Sequence, residues 1–206
     1  MNAADRALLD RMLFFSDAVF AIVLTLLVLE LRPPERGAPL MAGLAAMSGH
    51  FVAFFMSFAL VGVFWAAHMN TLRILKHFDW STAWANLVFL APVSLMPFAS
   101  SLVGERGFGR NEWSAYCLVM ILTSACMMAL VTVILRGGGR LCGGISGREH
   151  AYRLVRAAAP GLAFGVGLTA TSLGQLDLGQ LCWLLIPVIF LAARPLRKPT
   201  AADAET

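Results

Sequence analysis

The chain has 206 residues, 59% of them hydrophobic and only 14% charged, with a mean hydropathy of +0.75 and a formal charge of +4. A soluble domain runs about 45–50% apolar and about 25% charged. Both departures argue against a soluble enzyme, a disordered chain or a nucleic-acid module and leave an integral membrane protein with short loops.

A bilayer core about 30 Å thick needs roughly 20 apolar residues per helix. Six runs qualify in chain order: 12–31, 47–70, 80–103, 113–135, 155–174 and 178–193. The first carries Ser16 and Asp17, and Arg32-Pro33-Pro34 follows it without a small-residue cleavage site, so it reads as a spanning helix rather than a signal peptide. The last is short. Pro92, Pro97, Pro160 and Pro187 fall in or near later runs. The fold class is therefore an all-α integral membrane protein. It forms one six-helix domain over 1–198, with a disordered cytoplasmic tail over 199–206.

Six crossings place Arg6, Arg11, Arg73, Lys76, Arg136, Arg140, Arg148, Arg153, Arg156, Arg194, Arg197 and Lys198 on one side. Only Arg32, Arg36, Arg106 and Arg110 lie on the other, so the positive-inside rule puts both termini in the cytoplasm. The Gly-rich stretch from Arg136 to Arg153 lacks the Gly-Lys-Ser/Thr ending of a phosphate-binding loop and reads as a flexible connector. Cys117, Cys126, Cys142 and Cys182 form no CxxC pair, which suggests neither a metal site nor a disulfide framework. No cofactor is indicated.

Ionisable residues inside a membrane are costly and mark candidate sites. Asp17 lies about 8 Å into the first run and Asn86 about 9 Å into the third, at 1.5 Å per residue. His68, with Trp65 a turn earlier, sits near the cytoplasmic end of the second. Three helices thus bring Asp, His and Asn to a similar depth, with Ser16 and the Trp65 indole as further hydrogen-bonding groups. Two readings stand: a structural network that fixes how the first helix packs, or a proton relay or ion ligand. His68 has no second His or Cys at metal-ligand spacing. Its unperturbed pKa of about 6.5 would allow a pH response.

Helical phase gives the first run two faces. Ile22, Leu26 and Leu29 share one stripe, with Thr25 beside it and Ala18 and Phe15 extending it inward. Ser16, Asp17, Phe20, Leu24 and Leu27 lie on or near the other. If the polar pair faces the second and third helices, the Ile22 stripe faces lipid or another subunit.

These residues carry a likeness. Arg11, then Phe15-Ser16-Asp17, followed by Val19-Phe20-Ala21-Ile22 and Thr25-Leu26-Leu27, resembles the signature of the transmembrane protein 175 family of potassium channels. It continues through Ser57-Phe58, Phe64-Trp65 and His68, then Asn86-Leu87 and Met96-Pro97-Phe98. Ala18 stands where Gly is common in the family, and the resemblance does not extend to the Gly/Arg loop.

The resemblance implies a prokaryotic, one-repeat subunit of a homotetramer in the plasma membrane. Potassium ions would be conducted with moderate selectivity through a pore lined by the first helix of each copy. The constriction would be apolar, made by Ile22, Leu26 and Leu29, with Thr25 adjacent. Ser16, Asp17, Trp65, His68 and Asn86 would form a packing network behind the pore helix, with Phe15 beside it and Arg11 on the cytoplasmic rim. No carbonyl-cage filter of the TVGYG type occurs. The alternative is a proton-coupled or other secondary transporter, which would want broken helices and a polar midplane site. A membrane-embedded enzyme lacks an evident nucleophile.

Overall fold

A computed structural model describes residues 3–34, 39–136, 141 and 146–196. Among these residues every regular element is a helix. Helix α1 (Ala3–Leu29) holds no Gly or Pro, starts with Asp5 in its first turn and stops before Pro33 and Pro34. It begins nine residues before the apolar run, so its charged N-terminal turns extend the same helix. A short helix α2 (Leu40–Ala46) meets α3 (Ser48–Leu72) at Met47.

The third apolar run is two helices, α4 (Trp80–Val93) and α5 (Met96–Arg106). Asp79 caps α4, its Oδ2 accepting from the Thr82 N–H at 3.0 Å. Pro97 explains the break at Ser94–Leu95. It has no N–H to give the Val93 carbonyl, and its ring crowds that oxygen. The Ser94 hydroxyl instead donates to Leu90 O at 3.0 Å, and α5 ends at Gly107 with φ +83.

Helices α6 (Arg110–Arg136) and α7 (Gly147–Ser172) pack as neighbours. The Ser124 hydroxyl donates to the Ala157 carbonyl at 2.5 Å, and Gly161 keeps the backbones close because a Cβ there would lie 2.7 Å from Ser124. Trp113 and Tyr116 stack with centroids 5.5 Å apart and lean on Phe164, while Tyr116 shares a 2.9 Å hydrogen bond with Ser57 of α3. Helix α7 starts eight residues before the fifth apolar run. Ser146 is its N-cap, accepting from the Glu149 N–H at 3.3 Å, so part of the expected connector is helical. The rest of that connector, 137–140 and 142–145, lies outside the described residues, as does the tail 199–206.

Among the described residues, five helical segments are long and apolar enough to cross a membrane: Ala4–Leu29, Ser48–Leu72, Trp80–Arg106, Arg110–Arg136 and Gly147–Ser172. The sixth apolar run is not one helix. It divides into α8 (Leu176–Gln180), a 3-10 turn (Cys182–Leu184), α9 (Leu185–Ala192) and a last 3-10 turn (Arg194–Leu196). Pro187 has no N–H to give the Trp183 carbonyl, which accepts instead from a backbone N–H at the end of the 3-10 turn. All four pieces pack on α7. Gly179 lets α8 approach it, since a Cβ there would sit 2.8 Å from Gly167 O.

Candidate functional site

Helix α1 is two-faced in three dimensions as in phase. Leu9, Ser16, Phe20, Val23 and Leu27 are buried against α3, α4 and α5. The other side carries Phe15, Ala18, Ile22, Thr25, Leu26 and Leu29, all exposed on the single subunit, with Ile22 at 57% and Leu29 at 68%.

The polar residues form two separate sets. Ser16 is fully buried and its hydroxyl donates to Met12 O at 2.9 Å, one turn back. A hydroxyl has one proton, so its lone pairs are left to accept. Asn86 Nδ2 donates to Ser16 Oγ at 2.8 Å. That fixes the amide orientation and turns Asn86 Oδ1 toward His68, whose Nε2 stands 2.7 Å away. An amide oxygen cannot donate, so Nε2 carries the proton. The result is a directed chain across three helices, from His68 in α3 through Asn86 in α4 and Ser16 to the α1 backbone. The imidazole lies against Phe89, nearly parallel at 5.3 Å, and Phe20 at 5.5 Å. The chain thus runs inside an apolar sleeve.

Asp17 is not part of that chain. One residue along a helix turns about 100°, and the Asp17 carboxylate is exposed, accepting the Trp65 indole N–H at 3.1 Å. Equal depth thus brought Ser16, His68 and Asn86 together but left Asp17 and Trp65 as a second, rim-side pair between α1 and α3. Arg11 and Phe15 lie exposed on α1. The aromatic sleeve was not singled out from the sequence; Phe89, three residues after Asn86, was its one available signal.

Thr25 has its proton committed too. Its hydroxyl donates to Ile22 O at 2.8 Å. The oxygen is left as an acceptor on the exposed stripe, between the levels of Ile22 and Leu29.

Five spanning-length apolar helices among the described residues, all in a helical bundle, make this a multi-pass membrane protein. Residues 11–97, which include every residue of both faces discussed from Arg11 to Asn86, match the model of the family described as endosomal/lysosomal potassium channel TMEM175. A potassium channel from a Chryseobacterium species is 32% identical over 174 residues, covering 83% of this chain and 90% of that protein. The chain belongs to the TMEM175 family, a family of channels rather than enzymes. The endosomal/lysosomal proton channel TMEM175 of Homo sapiens is 28% identical over 205 residues, which cover 90% of this chain but 41% of the human protein. The fold matches the crystal structure of a lysosomal potassium-selective channel TMEM175 homolog from Chamaesiphon minutus with a TM-score of 0.70 at 22% identity, over 92% of this chain and 96% of that one.

Proposed function

We propose that the chain is one subunit of a homotetrameric, moderately potassium-selective leak channel of the plasma membrane, with α1 of each copy facing the axis. The observation that carries this is the division of α1. One face is tied to its own subunit by the buried chain through Ser16, and the other leaves Ile22, Thr25, Leu26 and Leu29 uncovered. The bacterial relatives named as potassium channels support the ion.

In this reading Ile22 closes an apolar ring, and Leu26 and Leu29 add two more. An apolar constriction stops ions by dewetting when narrow. When wider it obliges them to shed part of their water, which potassium does more readily than sodium. The Thr25 oxygens offer acceptors at that level. Ser16, Asn86 and His68 act at a distance by setting the rotation of α1, and the Asp17–Trp65 pair steadies the same helix near its cytoplasmic end. Arg11 and Phe15 stand at the cytoplasmic mouth.

The segment 176–196 completes a sixth crossing, within a single domain over 1–198. Gly167 lies against Cys182, and eleven residues nearer the start of α7 Arg156 lies over Phe190. The last segment therefore runs back along α7 for about 16 Å between those contacts. An even number of crossings puts both termini in the cytoplasm, in keeping with the distribution of Lys and Arg.

Purified protein in liposomes is the test. Electrogenic potassium flux that does not saturate, from an assembly of four 22.2 kDa chains, is expected. Saturable, substrate-dependent flux would indicate a carrier. Proton flux is measured in the same vesicles, because the animal relatives carry the proton-channel name.

A further inference from the structure

We propose that Arg156, over the Phe190 ring, and Arg194, one turn beyond that ring, hold the phosphate of an anionic membrane phospholipid at the cytoplasmic end of α7. The leaflet rests on the orientation given above; the site itself rests on the following geometry. The Arg156 guanidinium lies 4.6 Å from the centre of the Phe190 ring and 5.6 Å from that of Tyr152. Its Nη1 donates to the Tyr152 hydroxyl at 2.9 Å, while its Nε is buried without a partner. Two aromatic faces and a phenol thus orient the guanidinium but do not neutralise it.

Charge counting leaves a surplus there. The segment 147–196 holds two carboxylates, Glu149 and Asp177. Glu149 pairs with Arg153 at 2.7 Å, and Asp177 lies at the opposite end of α7, in the first turn of α8. Arg153 is further engaged by the Asn70 carbonyl at the end of α3. Among the described residues of this segment, Arg156 has no acid left to pair with. Arg194 follows Phe190 by four residues, and the backbone keeps helical geometry through Ala193, whose N–H donates to Ile189 O at 2.9 Å. It therefore sits one turn beyond the ring on the same face, exposed and without an ion pair among the described residues.

Arg156 stands at the edge of the fifth apolar run, the depth of lipid phosphates. A planar fork held over an aromatic ring, with a second arginine one turn away, is the chemistry that recognises a phosphate in bidentate fashion. Juxtamembrane basic pockets bind anionic headgroups in this way. A free phosphate ion would satisfy the same groups, so lipid and soluble anion are separated by experiment.

The full-length protein, solubilised in a neutral detergent, is titrated with phosphatidylglycerol, phosphatidylcholine or inorganic phosphate, and bound molecules are counted by native mass spectrometry. Phosphatidylglycerol is expected to be retained over phosphatidylcholine. Its occupancy should weaken about fivefold in Arg194→Gln and again in Arg156→Gln, the effect of about one interfacial charge each. Arg194 is exposed, so its variant tests the site even where Arg156→Gln fails to fold. Arg73→Gln, an exposed arginine at the end of α3, should leave retention unchanged. Equal retention of the two lipids, or unchanged retention in Arg194→Gln, overturns the proposal. Displacement of phosphatidylglycerol by inorganic phosphate overturns the lipid as the source. No ion flux enters this readout, so a protein that fails to conduct leaves it intact.

Discussion

Replacing Asn86 by Leu tests whether the buried chain holds α1 in place. Asn86 is 2% exposed and makes two interhelical hydrogen bonds, at 2.8 Å to Ser16 and 2.7 Å to His68. Leucine is close in volume, so the loss is chiefly polar. Interhelical hydrogen bonds in membranes are worth about 0.6 kcal/mol each on average and up to about 1.7. Two of them give a cost of about 1–3 kcal/mol. The larger figure applies if the His68 N–H stays buried and unpaired between Phe20 and Phe89, since such an orphan is itself costly. Adding His68→Phe to Asn86→Leu removes that orphan and should recover part of the loss. Steric trapping in bicelles measures unfolding free energies directly in a bilayer-like medium. A single Asn86→Leu variant within about 0.5 kcal/mol of the unmodified protein, or a double variant whose cost is the plain sum of the two singles, would refute the reasoning.

Trp65→Phe removes one hydrogen bond on an exposed pair and should cost less than about 1 kcal/mol in the same measurement; a loss matching that of Asn86→Leu would make the rim pair a principal tie. Gly179→Val puts a side chain against Gly167 O and Thr171 and should lower the midpoint of thermal unfolding through about 1–3 kcal/mol of overpacking, whereas Gly165→Ala, with open space at its Cβ, should not. If Ile22 closes the apolar ring as proposed, Ile22→Ala should raise potassium conductance and reduce discrimination against sodium in liposome flux; unchanged selectivity would move the constriction away from Ile22.

Much of this architecture was readable from hydropathy, because apolar length needs no tertiary information. The two faces of α1 followed from phase alone: Ile22, Leu26 and Leu29 are exposed and Phe20 and Leu27 buried. Depth counting brought His68 and Asn86 to one level, but depth carries no azimuth, and Asp17 was grouped with them although it faces Trp65. Helix starts were less legible. Hydropathy sees the membrane-embedded part, so the charged turns of α1 before Met12 were missed. The Ser146–Glu149 spacing that caps α7 was legible as a capping pattern but sat in a Gly-rich stretch that read as loop. The break ahead of Pro187 illustrates a further limit. An apolar run reports burial in lipid, and only the proline shows that the backbone inside it changes hand-off from one short helix to the next.

The account rests on which face of α1 meets water, and a cysteine scan along that helix measures this directly. Single cysteines at Phe20, Ile22, Val23, Leu26, Leu27 and Leu29, in a background with the native cysteines removed, are exposed to a charged, membrane-impermeant thiol reagent while potassium flux is recorded. Cysteines at 22, 26 and 29 should react and reduce the flux, and those at 20, 23 and 27 should not. Reaction at 20, 23 and 27, or none at 22, 26 and 29 while potassium still flows, would contradict a passage bounded by this stripe.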